Sequence, residues 1–315
     1  MSTTDERRLL RQTVAALVDK HAPPEAVRRA MESPRGYDES LWAMLCEQVG
    51  VAALVVPEEF GGAGGELGDA AAVLEELGRN LVPTPLLGTT LAELALLAVD
   101  APDADTLEAL AAGSLIGAVV FDRDYVIHGD VADVLVAVED GRLARWTDTT
   151  AEPVQAMDPT RRLARVRPGQ TTEIGRDPGI GDTAAILLAA EQIGAAARCL
   201  ELTVEYTRQR VQFGRPIGSF QALKHRMADL YVSVQAARSV VGEAVADPGP
   251  VSASLARLAA SEAFNTVAGE SIQLHGGIAI TWEHDMHLYF KRAHASAELL
   301  GPPREYLRRL EAEIF

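Results

Sequence analysis

The sequence predicts a mainly α protein with a small central β domain. An N-terminal helical domain covers residues 1–112, a shortened β domain 113–178 and a C-terminal four-helix bundle 179–315. Three observations predict this order. Apolar residues recur at helical spacing up to about residue 112, short β-branched runs take over from Leu115, and four long alanine-rich segments follow Gly181.

Leu9, Leu10, Val14, Leu17 and Val18 mark the first helix, which the Pro23-Pro24 pair ends. Leu41, Leu45 and Val49 mark a shorter one, stopped by Gly50. Asp69 is expected to open a helix carrying Ala72, Val73, Glu76 and Leu77, with Gly78 closing it. Between them, Val55 to Gly65 is too rich in glycine to be helical. Strands are expected at Ile116–Phe121, Tyr125–Ile127, Val134–Val138 and Leu163–Val166, and Asp140-Gly141 has hairpin chemistry. The bundle helices are expected at Asp182–Arg208, Phe220–Ala246, Ser252–Leu274 and Asp285–Leu300. Their small residues let helices approach closely, and short connections between them favour a bundle.

Composition narrows the function. A chain of 315 residues with 48% hydrophobic content can bury a substantial core. A net charge of -16 argues against a nucleic-acid surface and against anionic membranes. Local arginines can still hold a phosphate on an acidic protein. Cys46 and Cys199 stand far apart, which disfavours a disulfide framework or a zinc site. Met1 to Arg8 lacks the apolar core of a signal peptide, and Leu86–Val99 is interrupted by Thr89, Thr90 and Glu93. A cytoplasmic protein without membrane insertion is expected.

Three stretches invite a chemical reading. The loop Gly61 to Gly65 lies between an apolar run and a helix, but its spacing is wrong for a dinucleotide fingerprint, and a structural turn is expected. Glu283-His284-Asp285-Met286-His287, with His294 beyond, has metal-ligating residue types but lacks a well-placed third ligand. No metal is expected. The third stretch is Arg210-Val211-Gln212-Phe213-Gly214-Arg215-Pro216-Ile217, then Phe220-Gln221, with Gln273-Leu274-His275-Gly276-Gly277 further on. Alone, Arg210 reads as a helix C-terminal charge and Phe213 as a core anchor. Together, a guanidinium, amides, an aromatic ring and a glycine pair suit a large phosphorylated, aromatic cofactor.

That ensemble, in this order after Val56-Pro57-Glu58-Glu59-Phe60-Gly61-Gly62, resembles the acyl-CoA dehydrogenase family over nearly the whole chain, most weakly between residues 113 and 178. The resemblance implies an acyl-CoA dehydrogenase-like fold and FAD as cofactor. It also implies an active site shared between subunits, in which one β domain grips the isoalloxazine ring and the neighbour contacts the ADP part. Arg210, Gln212, Phe213, Gln221, Gln273, Gly276 and Gly277 match the neighbour's contacts position by position.

The chain departs from the family pattern elsewhere. The Thr-Glu strand turn and the Trp-Ile strand of the longer family β domain are not found; Trp146 is followed by Thr147-Asp148. The usual catalytic Glu-Gly-Thr aligns with Leu300-Gly301-Pro302. The alternative glutamate position and the arginine beside it fall on Ala184 and Ala185. Removing the α-proton of a thioester needs a base, and Glu298 and Glu191 are the nearby candidates. The chain is therefore similar to the short subunits of actinobacterial steroid side-chain dehydrogenases. That likeness implies an α2β2 assembly with a second acyl-CoA dehydrogenase subunit, an acyl-CoA substrate and an electron-accepting flavoprotein. The alternatives are a self-sufficient homomeric enzyme with a displaced base and a non-catalytic scaffold of the same fold.

Overall fold

The computed structural model describes residues 3–314; Met1 and Ser2 of the N-terminal stretch, and Phe315, lie outside the described residues. Six helices come first: α1 (Thr3–His21), α2 (Pro24–Met31), α3 (Glu39–Val49), α4 (Leu67–Arg79), α5 (Leu86–Leu97) and α6 (Ala104–Ala111). Gly50 ends α3 in the left-handed conformation, with its amide bonded back to the Cys46 carbonyl. Helix α4 starts two residues before Asp69. Glu66 is its cap, and the Asp69 carboxylate returns to accept the Glu66 amide at 2.8 Å. Gly78 does not close this helix, which runs on to Arg79.

Gly78 instead allows a helix crossing. A Cβ there would collide with the Glu191 carbonyl, and one at Gly194 would collide with the Glu75 carbonyl. These two bare positions let α4 lie against α7 (Ile180–Gln209) at backbone distance. The Gly61–Gly65 loop is a folded turn. The amides of Gly62, Ala63, Gly64 and Gly65 bond to the carbonyls of Pro57, Ala53, Val56 and Leu54, leaving none to cradle a phosphate.

The β segment holds seven strands in two small sheets: β1 (Gly117–Val120), β2 (Val126–Ile127), β3 (Val134–Glu139), β4 (Arg142–Thr147), β5 (Thr150–Val154), β6 (Leu163–Arg167) and β7 (Gln170–Arg176). One sheet has the order β1-β3-β4-β7, with only β1 and β3 parallel; the other has the order β2-β6-β5. Asp140 and Gly141 both take positive φ in the β3–β4 hairpin, as a tight turn matching the strand twist requires. Trp146 is buried on β4 and packs with Leu135, Val126 and Val166 between the sheets. Strands β5 and β7 carry exposed polar residues without apolar alternation, so periodicity does not reveal them.

Helix α7 (Ile180–Gln209) leads into a two-strand hairpin, β8 (Val211–Gln212) and β9 (Arg215–Pro216). Then come α8 (Gln221–Ala246), α9 (Pro250–His275), α10 (Met286–Glu298) and a further helix, α11 (Pro303–Ile314). The sequence does not announce α11, because few apolar residues mark its buried face; Tyr306 and Leu310 make that contact. Contacts advance in step along α7 and α9, from Gln192–Ser261 through Thr203–Ser271 to Tyr206–His275, so these two helices are parallel. Helix α7 is long and apolar enough to cross a membrane, yet 89% of its apolar window is buried inside the protein, as befits a central bundle helix.

Candidate functional site

The parallel pairing of α7 and α9 brings the sequence-predicted cofactor residues to one end of the bundle. Arg210 caps α7, Gln221 opens α8, and Gln273, Gly276 and Gly277 end α9. Phe213 and Gly214 form the β8–β9 turn with φ of 54° and 77°. The chain reverses here on two left-handed residues. Phe213 is not a core anchor, being 91% exposed. Its edge meets Phe220 at 6.2 Å, and the Arg215 guanidinium lies over the Phe220 ring at 3.9 Å.

The join between the two helix ends is aromatic. Tyr206 stacks on His275 at 4.3 Å, its hydroxyl donates to the His275 carbonyl, and His284 closes on His275 at 4.7 Å. His275 Nδ1 donates to the Ser271 carbonyl at 2.8 Å. Burial pushes this imidazole down to about 4, against the opposing pull of that carbonyl, so it is neutral at neutral pH. Neutral rings at this joint keep the following glycines in place without adding charge.

Of the exposed groups at this end, the Gln212 amide donates only to the neighbouring Val211 carbonyl, at 2.8 Å. Among the described residues Arg210, Arg215 and Lys224 form no ion pair, and Gln221 and Gln273 make no side-chain hydrogen bond. A Cβ at Gly276 or Gly277 would meet nothing within 4 Å. Unpaired cations, free amides and open backbone fit an adenosine diphosphate moiety. Arg215 lies on β9 of the hairpin and Lys224 in the first turn of α8, and neither is among the residues that the sequence motif picks out as contacts.

The opposite end of the bundle carries a cavity of about 720 Å³. Leu91, Val119, Ile127 and Leu299 form its buried floor, with Asp122, Tyr125, Met157, Glu298 and Glu305 around its mouth. Leu300 and Gly301, at the expected base position, form one wall with positive φ. Ala184 and Ala185 are wholly buried and do not line the cavity. Glu298 does line it, and among the described residues it makes no ion pair.

Glu191 has another place. It lies buried between Arg161, at 2.5 Å, and Arg292, whose Nε also reaches Asp158 at 2.6 Å. Burial alone would raise its carboxyl, but the two guanidinium groups overcome this and hold it below the usual range. It is a structural charge joining the β segment to α7 and α10. Arg257, 1% exposed, donates to the carbonyls of Ser296, Ala297 and Leu299 and so caps α10 beside the cavity. Asp285 pairs with Arg28 at 2.9 Å, and among the described residues no three ligating side chains converge as a metal site.

Comparisons with known proteins agree with this architecture. A family model described as acyl-CoA dehydrogenase, N-terminal domain, matches residues 4–114, and one described as acyl-CoA dehydrogenase, C-terminal domain, matches residues 182–313. The chain is 70% identical to acyl-CoA dehydrogenase IpdE2 of Mycobacterium tuberculosis, over 100% of this chain and 99% of that protein. It is 67% identical to IpdE2 of Mycolicibacterium smegmatis, over 99% of this chain and 100% of that protein. A chain of the Tcur3481-Tcur3483 steroid ACAD G363A variant superposes with a TM-score of 0.92 at 26% identity, over 99% of this chain and 98% of that one. A chain of the ChsE4-ChsE5 complex from Mycobacterium tuberculosis gives 0.90, also at 26% identity, over the same shares of each chain.

Proposed function

The chain belongs to the acyl-CoA dehydrogenase family, and we propose that it is one of two unlike subunits of an FAD-dependent member, holding the ADP end of the cofactor. One observation carries this reading: the bundle end that gathers Arg210, Gln212, Phe213, Gln221, Gln273, Gly276 and Gly277 is exposed, and among the described residues Arg210 has no ion pair and the Gln221 and Gln273 amides no hydrogen-bond partner. Arg210 would meet the pyrophosphate, Phe213 the adenine or the flexible chain, and Gln221 and Gln273 the ribose and phosphate oxygens. The bare backbone of Gly276 and Gly277 would let the nucleotide approach closely. FAD, when bound, accepts the hydride of the acyl β-carbon.

The α-proton needs a carboxylate, and Leu300, Ala184 and the ion-paired Glu191 cannot supply one. The companion subunit would bring that base, the isoalloxazine pocket and most CoA contacts. The likeness to a chain of a steroid acyl-CoA dehydrogenase and to one of the ChsE4-ChsE5 complex supports an α2β2 assembly. It also supports a bulky acyl-CoA substrate of the steroid side-chain type. An electron-transferring flavoprotein would reoxidise the cofactor, and the cytoplasm is the expected setting.

The position of Glu298 on the cavity wall favours a second reading, in which the lone chain is a complete enzyme with Glu298 as its base. Flavin stoichiometry and acyl-CoA-dependent bleaching, measured on the chain alone and with a long-form partner, separate the two. Little flavin alone and one FAD per pair supports the shared site. One FAD per lone chain, bleached by acyl-CoA and silenced by Glu298→Gln, supports the second.

A further inference from the structure

Arg161, Glu191 and Arg292 also line a small enclosed cavity of about 20 Å³, together with Thr84, His128 and Thr160. We propose that this cavity is a binding site for one small hydrogen-bond acceptor, a water molecule or a halide ion, held between His128 and Arg161. It shares only Ile127 with the 720 Å³ cavity and has no room for an acyl chain or a nucleotide.

Two of the side chains that line it lack partners. His128 is 2% exposed, and neither of its ring nitrogens has a hydrogen-bond partner among the described residues. Arg161 is 7% exposed; its Nη2 donates to Glu191 at 2.5 Å, while its Nε has no partner among the described residues. A polar group shut away from water and left unbonded costs the fold its full desolvation, so nearly all such groups in native proteins are satisfied by protein, water or an ion. Local structure fixes the imidazole inside. His128 holds a left-handed φ of 52°, its amide donates to the Arg162 carbonyl at 3.0 Å, and the Tyr37 ring meets it edge-on at 6.0 Å.

Size and charge select the ligand. About 10–15 Å³ suffices for one water molecule, so the cavity takes a single molecule of that size or a single-atom ion. Arg161 Nε can only donate, so the bound species must accept. Burial, and after it the guanidinium groups of Arg161, Arg162 and Arg292, push the His128 imidazole down to about 3. The neutral ring then offers one N–H donor and one acceptor. Water would accept from Arg161 and donate to the ring or to the Glu191 carboxylate; a halide would accept from Arg161 and from the ring N–H. Two guanidinium groups against one carboxylate in the lining disfavour a cation. Thr84 is the one lining residue that is not buried, and it marks the way in from solvent.

Crystals of the full chain grown with sodium bromide in place of chloride test the assignment, with anomalous scattering at the bromine edge separating the two sources. One density peak is expected within about 3.5 Å of both Arg161 Nε and a His128 ring nitrogen. An anomalous signal in that peak identifies a halide, and a peak without one identifies water. His128→Leu should abolish the peak and lower the melting temperature by at least about 1–2 °C, because it strands the Arg161 Nε. If the imidazole were buried with nothing bound to it, the same change would remove an unsatisfied group and raise the melting temperature. No peak in the wild-type crystal, an unchanged peak in the His128→Leu crystal, or a raised melting temperature overturns the proposal. Should that variant fail to fold, the wild-type density decides alone.

Discussion

The two ends of the bundle use the same residue types for opposite purposes. At the Glu298 end, Arg161, Arg257 and Arg292 are buried, and each is spent on protein: two on Glu191 and Asp158, one on the carbonyls that end α10. At the Gly276 end, Arg210 and Arg215 are exposed with no acidic partner among the described residues. A buried guanidinium must be satisfied internally or the fold pays for it, so the first set reads as architecture. A charge left unpaired at the surface costs little and is free for a ligand, so the second set reads as a site.

The sharpest way to break this comparison is to remove the central charge of the paired end. Arg292→Met would leave Asp158 without its guanidinium and Glu191 with only Arg161. The expected cost is about 3–5 kcal/mol, read as a lowered urea midpoint. A loss under about 1 kcal/mol would mean these charges do not hold the β segment, α7 and α10 together. The matching change at the open end is Arg210→Ala. Stability should stay within about 0.5 kcal/mol, while the flavin retained by the co-purified complex weakens by at least about tenfold. Unchanged flavin content would favour the scaffold alternative.

A buried carboxyl belonging to neither end sharpens the rule that pairing, not burial, makes the difference. Glu93 on α5 is 0% exposed, and neither of its carboxylate oxygens has a hydrogen-bond partner. Burial raises it well above its ordinary 4.5, so the folded protein keeps the proton while the unfolded chain releases it above that pH. Native stability therefore falls as pH rises from about 4.5 through the folded-state value. Glu93→Leu should stabilise the protein by about 1–3 kcal/mol at pH 7, with the gain shrinking toward pH 4. A flat stability difference between pH 4 and 8 would contradict this account.

The smallest expected effect concerns Phe213, which holds a left-handed backbone conformation while exposing its ring. Asn tolerates that conformation better, so Phe213→Asn should leave the melting temperature unchanged or raise it by about 1–2 °C, equivalent to a few tenths of a kcal/mol. Flavin retention should nevertheless fall. A lowered melting temperature would show that the ring is a structural residue after all.

The candidate cofactor residues stand out in the sequence because they are local. Arg210 to Gln221 form one helix-hairpin-helix junction, and Gln273 to Gly277 form one helix end, so each motif survives as a contiguous string. The paired end does not. Asp158, Glu191 and Arg292 come from a loop and two helices far apart in the chain, and no periodicity links them. Glu191 therefore looks like a free carboxylate in the sequence and is an ion-pair centre in the fold. The same holds for the Gly78 and Gly194 crossing, since Gly78 reads locally as a helix stop.

The sequence by itself determined the order of helices, strands and helices, the alanine-rich bundle, and the cluster of cofactor-type residues. These depend on spacing within single elements, where 3.6-residue and 2-residue periods and turn chemistry act locally. Tertiary structure alone decided which charges are paired, which helix ends lie side by side and which carboxylates surround a cavity. Those outcomes depend on the parallel packing of α7 against α9 and on close contacts between distant segments. Burial and pairing set the energy of each charge, and a chain read one element at a time carries neither.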